Sequence, residues 1–267
     1  MSNVDLYHST YRHFGTDALA AVRRATYDED IGQNSWLSAA ELRGFIEWMD
    51  ITKESRVLEV ACGSGGPACY VVQQTGCHLT GVDANPEGIA NARTHAASLG
   101  LAERTTFIEA DANKPLPFDD GAFDALICVD ALNHLQDRRA VLEDWFRVLR
   151  SGASLTFTDP VVVTGMVSNR ELARRASIGF FLFVAPGYTD KMLEGVGFEL
   201  LRITDGSDAA ADVSARWCEA RAQLREDIVA IEGKDRFDGL QDFLQTVHDL
   251  SASRRLSRLV YHAVKPA

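Results

Sequence analysis

A short apolar run ending in an acid, a small-residue loop, and a second apolar run ending in another acid constrain this chain more than any other feature. Arg56-Val57-Leu58-Glu59-Val60 leads into Ala61-Cys62-Gly63-Ser64-Gly65-Gly66, and Leu79-Thr80-Gly81-Val82-Asp83 follows. Small residues let a backbone approach a ligand closely, and a loop that opens a helix points its unsatisfied N–H groups at that ligand. Asp83 comes 20 residues after Gly63, the length that returns a chain through one helix to the neighbouring strand. A carboxylate at that strand end holds both hydroxyls of a ribose. The pattern predicts an adenosine-bearing ligand.

Spacing sorts among such ligands. A dinucleotide fingerprint reads G-x-G-x-x-G and rests a pyrophosphate on the helix N-terminus, whereas this chain has Ala61-x-Gly63-x-Gly65 after Glu59. That suits E/D-x-G-x-G-x-G with alanine in place of the first glycine. If that position needs a positive φ, the extra methyl costs about 1 kcal/mol. From about Val57 to Pro160 the chain resembles the S-adenosylmethionine (AdoMet) methyltransferases.

Later landmarks follow in the order that resemblance requires. Thr106 to Asp111 reads as a third strand ending in an acid, Phe123 to Val129 as a fourth and Ala153 to Pro160 as a fifth, with helical patterns between them. Such alternation predicts a parallel sheet with helices on both faces and ligands beyond the strand C-termini. The resemblance implies an α/β fold, a Rossmann-like seven-stranded sheet with six parallel strands and the last antiparallel beside the fifth, under a helical cap. It also implies that Asp111 accepts from the adenine amino group and the Ala112 N–H donates to the ring. Glu59, Ala61, Gly63, Gly65, Asp83, Ala84 and Val129 complete the cofactor set, with Tyr27 and Ser38 from the N-terminal part. Asn85-Pro86 reads as a helix cap followed by proline at the first helical position.

Composition agrees. A chain of 267 residues, 46% hydrophobic, forms one large α/β domain with a cap. A net charge of −11 and a pI near 5.1 argue against a duplex nucleic-acid partner. The start, Met1-Ser2-Asn3-Val4-Asp5, has no signal-peptide pattern, and the apolar cluster from Ile178 to Ala185 is too short to span a bilayer. The expectation is a cytoplasmic enzyme, monomer or homodimer, without membrane partner. The five cysteines form no C-x-x-C pair and read as reduced, mostly buried thiols; His8 and His13 read as surface residues, and no metal is implied.

Outside the core, helical patterns run from Thr16 to Tyr27 and from Ser38 to Met49, the second opened by a Ser38/Glu41 capping box. Ser38 has two readings, a helix cap or a contact to the methionine carboxylate of AdoMet. Met166 to Ala185 reads as a helix with a bulky apolar end, and Asp190 to Phe198 as a helix stopping at Gly197 before a strand from Phe198 to Ile203. Asp212 to Glu232 and Arg236 to Arg255 read as two helices inserted before a last strand, Ser257 to Val264. The expected division is an N-terminal cap over 1–50, a cofactor core over 51–204, a helical lid over 205–256 and a final core strand over 257–267.

Val129-Asp130-Ala131-Leu132-Asn133-His134-Leu135 is the candidate for chemistry. With the overall layout it resembles the phosphoethanolamine and the sarcosine/dimethylglycine N-methyltransferase families, through a D-A-x-x-H element, a T-D-P ending on strand five and a late helical insertion. The resemblance implies a small-molecule acceptor, with an amine nitrogen favoured; a hydroxyl or carbon acceptor and a noncatalytic AdoMet-binding protein are the alternatives. His134 is suited to take a proton, and Asp130 to orient it or hold an ammonium. Each has a structural alternative, His134 packing under the lid and Asp130 capping the turn. Phosphobase enzymes hold phosphate with several tyrosines and cations after strand five, whereas here Pro160 is followed by mostly apolar residues with Arg170, Arg174 and Arg175 as the cations nearby, which a helix surface explains equally, so the acceptor need not be phosphorylated.

Overall fold

The computed structural model describes residues 6–267, with side chains from residue 10 onward; the expectations for residues 1–5 and for the His8 side chain lie outside the described residues. Three helices, α1 (Leu6–His13), α2 (Asp17–Thr26) and α3 (Ala39–Trp48), precede the sheet. Then β1 (Arg56–Val60), β2 (His78–Asp83), β3 (Thr105–Glu109), β4 (Phe123–Cys128), β5 (Leu149–Val163), β6 (Glu199–Asp205) and β7 (Leu256–Val264) form one sheet in the order β3-β2-β1-β4-β5-β7-β6. Neighbours from β3 to β5 pair in parallel, and β7 runs antiparallel between β5 and β6. Six strands therefore share one direction and the last opposes them, as expected.

Central strands covered on both faces read as continuous apolar runs. Val57, Leu58 and Val60 of β1 and Leu126 and Cys128 of β4 are fully buried. One face is covered by α3, α4 (Gly66–Thr75) and α5 (Pro86–Ser98) through Leu42, Phe45, Val72 and Ile89. The other carries α6 (Arg138–Val148) and, beyond a short helix α7 (Asn169–Arg175), α8 (Tyr188–Val196), which pack Leu142, Trp145 and Leu193 against Phe157 and Tyr261. Asn85 caps α5 through Glu87 and Gly88 N–H groups, with Pro86 at its first position.

The chain steps outward from β1 to β3 and then returns to β4 on the other side of β1. Such a reversal leaves a crevice beyond the strand ends. Val60 lies beside Cys128 in register, so the two strands end together there.

Two expectations are corrected. Only Asn169–Arg175 of the segment from Met166 to Ala185 is helical. The rest is held open by tertiary hydrogen bonds: Leu182 N–H donates to the Asn133 carbonyl, the Leu182 carbonyl accepts from Arg138, and Val163 N–H donates to the Val184 carbonyl. A helix would have consumed those groups internally. The helix expected over Asp212 to Glu232 starts earlier and breaks once, giving α9 (Ser207–Gln223) and α10 (Arg225–Glu232) ahead of α11 (Lys234–Ala252). Asp205 ends β6 by accepting from Ser207 N–H at 2.8 Å, which brings the helix start forward.

Candidate active site

The crevice opens into a cavity of about 510 Å³, within the range of small-molecule sites. Its floor is the end of β1. Ala61 follows that strand with φ 60°, so the methyl on the left-handed residue is present and strained. Gly63 has φ 54°, and a Cβ there would meet the Tyr11 hydroxyl at 2.9 Å. The loop thus presents bare backbone at the cavity wall, with no room for a side chain between Gly63 and Tyr11. Gly65 lies behind the wall: its left-handed conformation starts α4, and a Cβ would strike Ala92 at 2.7 Å.

Glu59, Asp83, Asp111 and Asp130 line the cavity together with Ala84, Ala112 and Val129. Asp83 accepts from Gly63 N–H at 2.9 Å and from Asn85 N–H at 2.8 Å, tying the strand end to the glycine loop. Asp111 stands two residues past the end of β3 rather than on it, partly exposed, and accepts from Asn113. Those bonds hold its carboxyl below the ordinary range. Glu59 behaves oppositely. It is buried, its Oε2 has no hydrogen-bond partner, and burial together with the nearby Asp83 pushes its pKa up to about 8. An unpartnered buried carboxyl facing a cavity is a receptor for positive charge. AdoMet, carrying a sulfonium and an ammonium, fits this set of bare backbone, acids and an orphaned carboxyl.

A pH signature follows. Because Glu59 binds its proton more tightly folded than unfolded, the free protein loses stability as pH rises from about 5 to 8. Glu59→Gln should flatten that slope in melting curves. AdoMet binding near pH 7 should release a proton from the wild type, read by calorimetry in buffers of different ionisation enthalpy, and no proton from the variant.

Tyr27 and Ser38 fall outside the cavity wall. The Tyr27 hydroxyl donates to the Ser35 carbonyl at 2.7 Å. Ser38 accepts from Glu41 N–H at 3.0 Å, but the Glu41 carboxylate turns instead to Arg258, so the capping box is half formed. Both support the loop that carries Ser35 and Trp36, which do line the cavity.

Asp130 is the hub of a buried network. Its φ is 50°, and its carboxylate accepts from Arg258 and Thr158 at 2.7 Å and from Trp36 N–H at 2.9 Å. Arg258 is wholly buried and also binds Glu41. His134 is oriented by another group: its Nδ1 lies 2.7 Å from the Phe180 carbonyl. A carbonyl only accepts, so Nδ1 carries the proton and Nε2 is the basic nitrogen. Burial lowers the pKa of His134 to about 4, with the Phe180 carbonyl opposing and Arg175 adding to the drop. His134 is neutral at physiological pH. Asp159 of the T-D-P element is buried against Arg138, away from the chemistry.

Sequence reasoning missed much of the opposite wall. Trp36, Trp217, Phe243 and Leu244 close it alongside Ile178 and Phe181 of the apolar patch, whose sequence admits a core or a pocket-wall role; Tyr11 reaches the glycine loop from α1, and Asn133 sits beside His134. Trp36 packs edge-on to Trp217 and against Phe243, and His134 edge-on to Phe181 at 4.5 Å. No local motif marks these residues, because they come from separate elements.

Comparison with known proteins fits this geometry. The methyltransferase-domain family model matches residues 58–157, from β1 into β5. Methyltransferase GfsG of Streptomyces halstedii is 31% identical over 61% of this chain, which spans only 59% of that relative's length. O-methyltransferase rstn1 of Aspergillus nomiae is 28% identical over 78% of this chain and 94% of its own. Among solved structures, phosphoethanolamine N-methyltransferase 2 of Haemonchus contortus, holding S-adenosylhomocysteine, superposes with a TM-score of 0.81 at 19% identity, over 98% of this chain and 60% of its own. The glycine loop and the acids at successive strand ends agree with these relatives: residues 58–157 match a methyltransferase domain, and the chain is similar to S-adenosylmethionine-dependent methyltransferases.

Proposed function

We propose that the chain methylates a hydroxyl oxygen of a bulky, largely apolar small molecule. The observation that carries this reading is the acceptor half of the cavity, an aromatic and aliphatic wall that ends on the neutral His134. In the same reading Asp83 holds the ribose, Asp111 and Ala112 the adenine, and Glu59 the positive charge of the cofactor. Ala61, Gly63, Ala84 and Val129 provide close walls, and residues 1–50 and 205–256 act as a cap. AdoMet, when bound, supplies an electrophilic methyl group. The chain contributes alignment, exclusion of water and a proton acceptor.

His134 favours oxygen. A hydroxyl turns strongly acidic as it is methylated, so a base whose conjugate acid titrates near 4 suffices to take its proton. An alkylammonium, with a pKa of about 10, does not yield its proton to so weak a base. The aromatic faces point the same way. The Arg175 guanidinium lies 4.7 Å over the Phe181 ring and 5.1 Å over Phe243, occupying faces that a methylammonium product would use.

The test is S-adenosylhomocysteine release against a panel of apolar hydroxylated compounds and small amines. Turnover of the hydroxylated set is expected; turnover of amines alone, the acceptor favoured by sequence resemblance, would overturn the proposal. His134→Gln should lower kcat about a hundredfold with KM little changed. The wild-type kcat should stay flat between about pH 6 and 8, falling only as pH approaches the pKa near 4.

A further inference from the structure

The turn after β4, Leu132–His134, encloses an amide with nothing to bind. Asn133 is fully buried, yet neither its Oδ1 nor its Nδ2 has a hydrogen-bond partner. Among the described residues it is the one side chain with two buried polar atoms left unsatisfied. Its backbone is already committed, the carbonyl accepting from Leu182 N–H at 2.8 Å. Asn133 is among the residues that surround the cavity, next to His134 and along with Trp36 and Phe181. Enclosing a primary amide without partners is strongly unfavourable and rare in native folds.

Resting on the reading of His134 as acceptor of a hydroxyl proton, we infer that Asn133 reads a second oxygen of the methyl acceptor, adjacent to the one that is methylated. The acceptor class is a catechol or an ortho-hydroxy carbonyl, with one oxygen toward His134 and its neighbour held by the Asn133 amide. An amide both donates and accepts, so a hydroxyl or a carbonyl satisfies it. A compound with a single oxygen leaves it orphaned, and a site with an unmet buried polar group discriminates against such a ligand. The polar atoms of Asn133 are closed off from water; a turn of the side chain into the cavity therefore accompanies acceptor binding.

Asn133→Leu, which has the same branching and the same number of side-chain heavy atoms, removes both orphaned atoms. Calorimetry on protein saturated with S-adenosylhomocysteine would compare a naphthalene bearing two adjacent hydroxyls with naphthol. The wild type should bind the diol about tenfold more tightly or better, and the variant should bind both alike. The free variant should also melt about 2 °C or more above the wild type, an effect that a structural role for the amide would reverse. Equal wild-type affinities, a preference retained in Asn133→Leu, or a lower melting temperature would overturn the inference while leaving the hydroxyl reading intact. Binding of neither probe, with S-adenosylhomocysteine still held, would overturn both.

Discussion

Asp83→Ala should weaken AdoMet binding by a hundredfold or more in a calorimetric titration. Two ribose hydroxyls donating to a carboxylate contribute about 1.5 to 3 kcal/mol each, and about 3 kcal/mol is already two orders of magnitude in affinity. The substitution also frees the Gly63 and Asn85 N–H groups that Asp83 now holds, so the glycine loop loses its tether. Asp83→Asn separates the two effects in part, because its one carbonyl oxygen can still accept from Gly63 N–H while its amide nitrogen cannot accept from Asn85 N–H. Asp111→Ala should cost far less, since that carboxylate is 38% exposed and, in the proposed reading, meets only one end of the adenine. Unchanged AdoMet affinity in Asp83→Ala would sink the ribose assignment.

Arg258→Met should bring the protein near the edge of folding. Arg258 is completely enclosed and bridges Asp130 and Glu41 at 2.7 Å each. Removing it leaves the Asp130 and Glu41 carboxylates without the buried cation between them, and breaking a buried pair of this kind costs about 3 to 5 kcal/mol. That is a large share of the roughly 5 to 15 kcal/mol that holds a typical domain together. Arg258→Lys should rescue little, because one ammonium lacks the forked geometry that spans both acids. Urea denaturation reads the outcome directly; an unmoved midpoint in Arg258→Met would show that the network contributes nothing to stability.

The strand-end half of the cavity was legible in the sequence because its residues occupy positions fixed by local pattern. A buried parallel strand announces itself as an apolar run, and the position just past it is set by the fold, so Glu59, Asp83 and Val129 could be placed from spacing alone. Asp111 was displaced by two residues because β3 stops at Glu109. Tyr27 and the second reading of Ser38 were placed with the ligand, but a polar group near a site serves the backbone as readily, and both do so here, Ser38 as the helix cap of its other reading. Asp130 was expected near His134 and is instead claimed by Arg258, a residue 128 positions away. No periodicity reports such a pairing. The acceptor wall was the least legible part, since aromatic residues at helical spacing read as core until their helices are placed in space.

Cofactor and acceptor walls draw on the chain in different ways. In the proposed reading the cofactor side is built from Glu59 to Asn113 and Val129, apart from Tyr11, Gly32, Asn34 and Ser35, whereas the acceptor side takes Trp36 from before the sheet and Trp217, Leu240, Phe243 and Leu244 from the helices that precede β7. Changes in α9 and α11 can therefore remodel what is recognised while the segment that carries the methyl donor keeps its own contacts. Substrate range and catalytic competence are separately heritable in this architecture, and a library confined to those two helices would explore one without eroding the other.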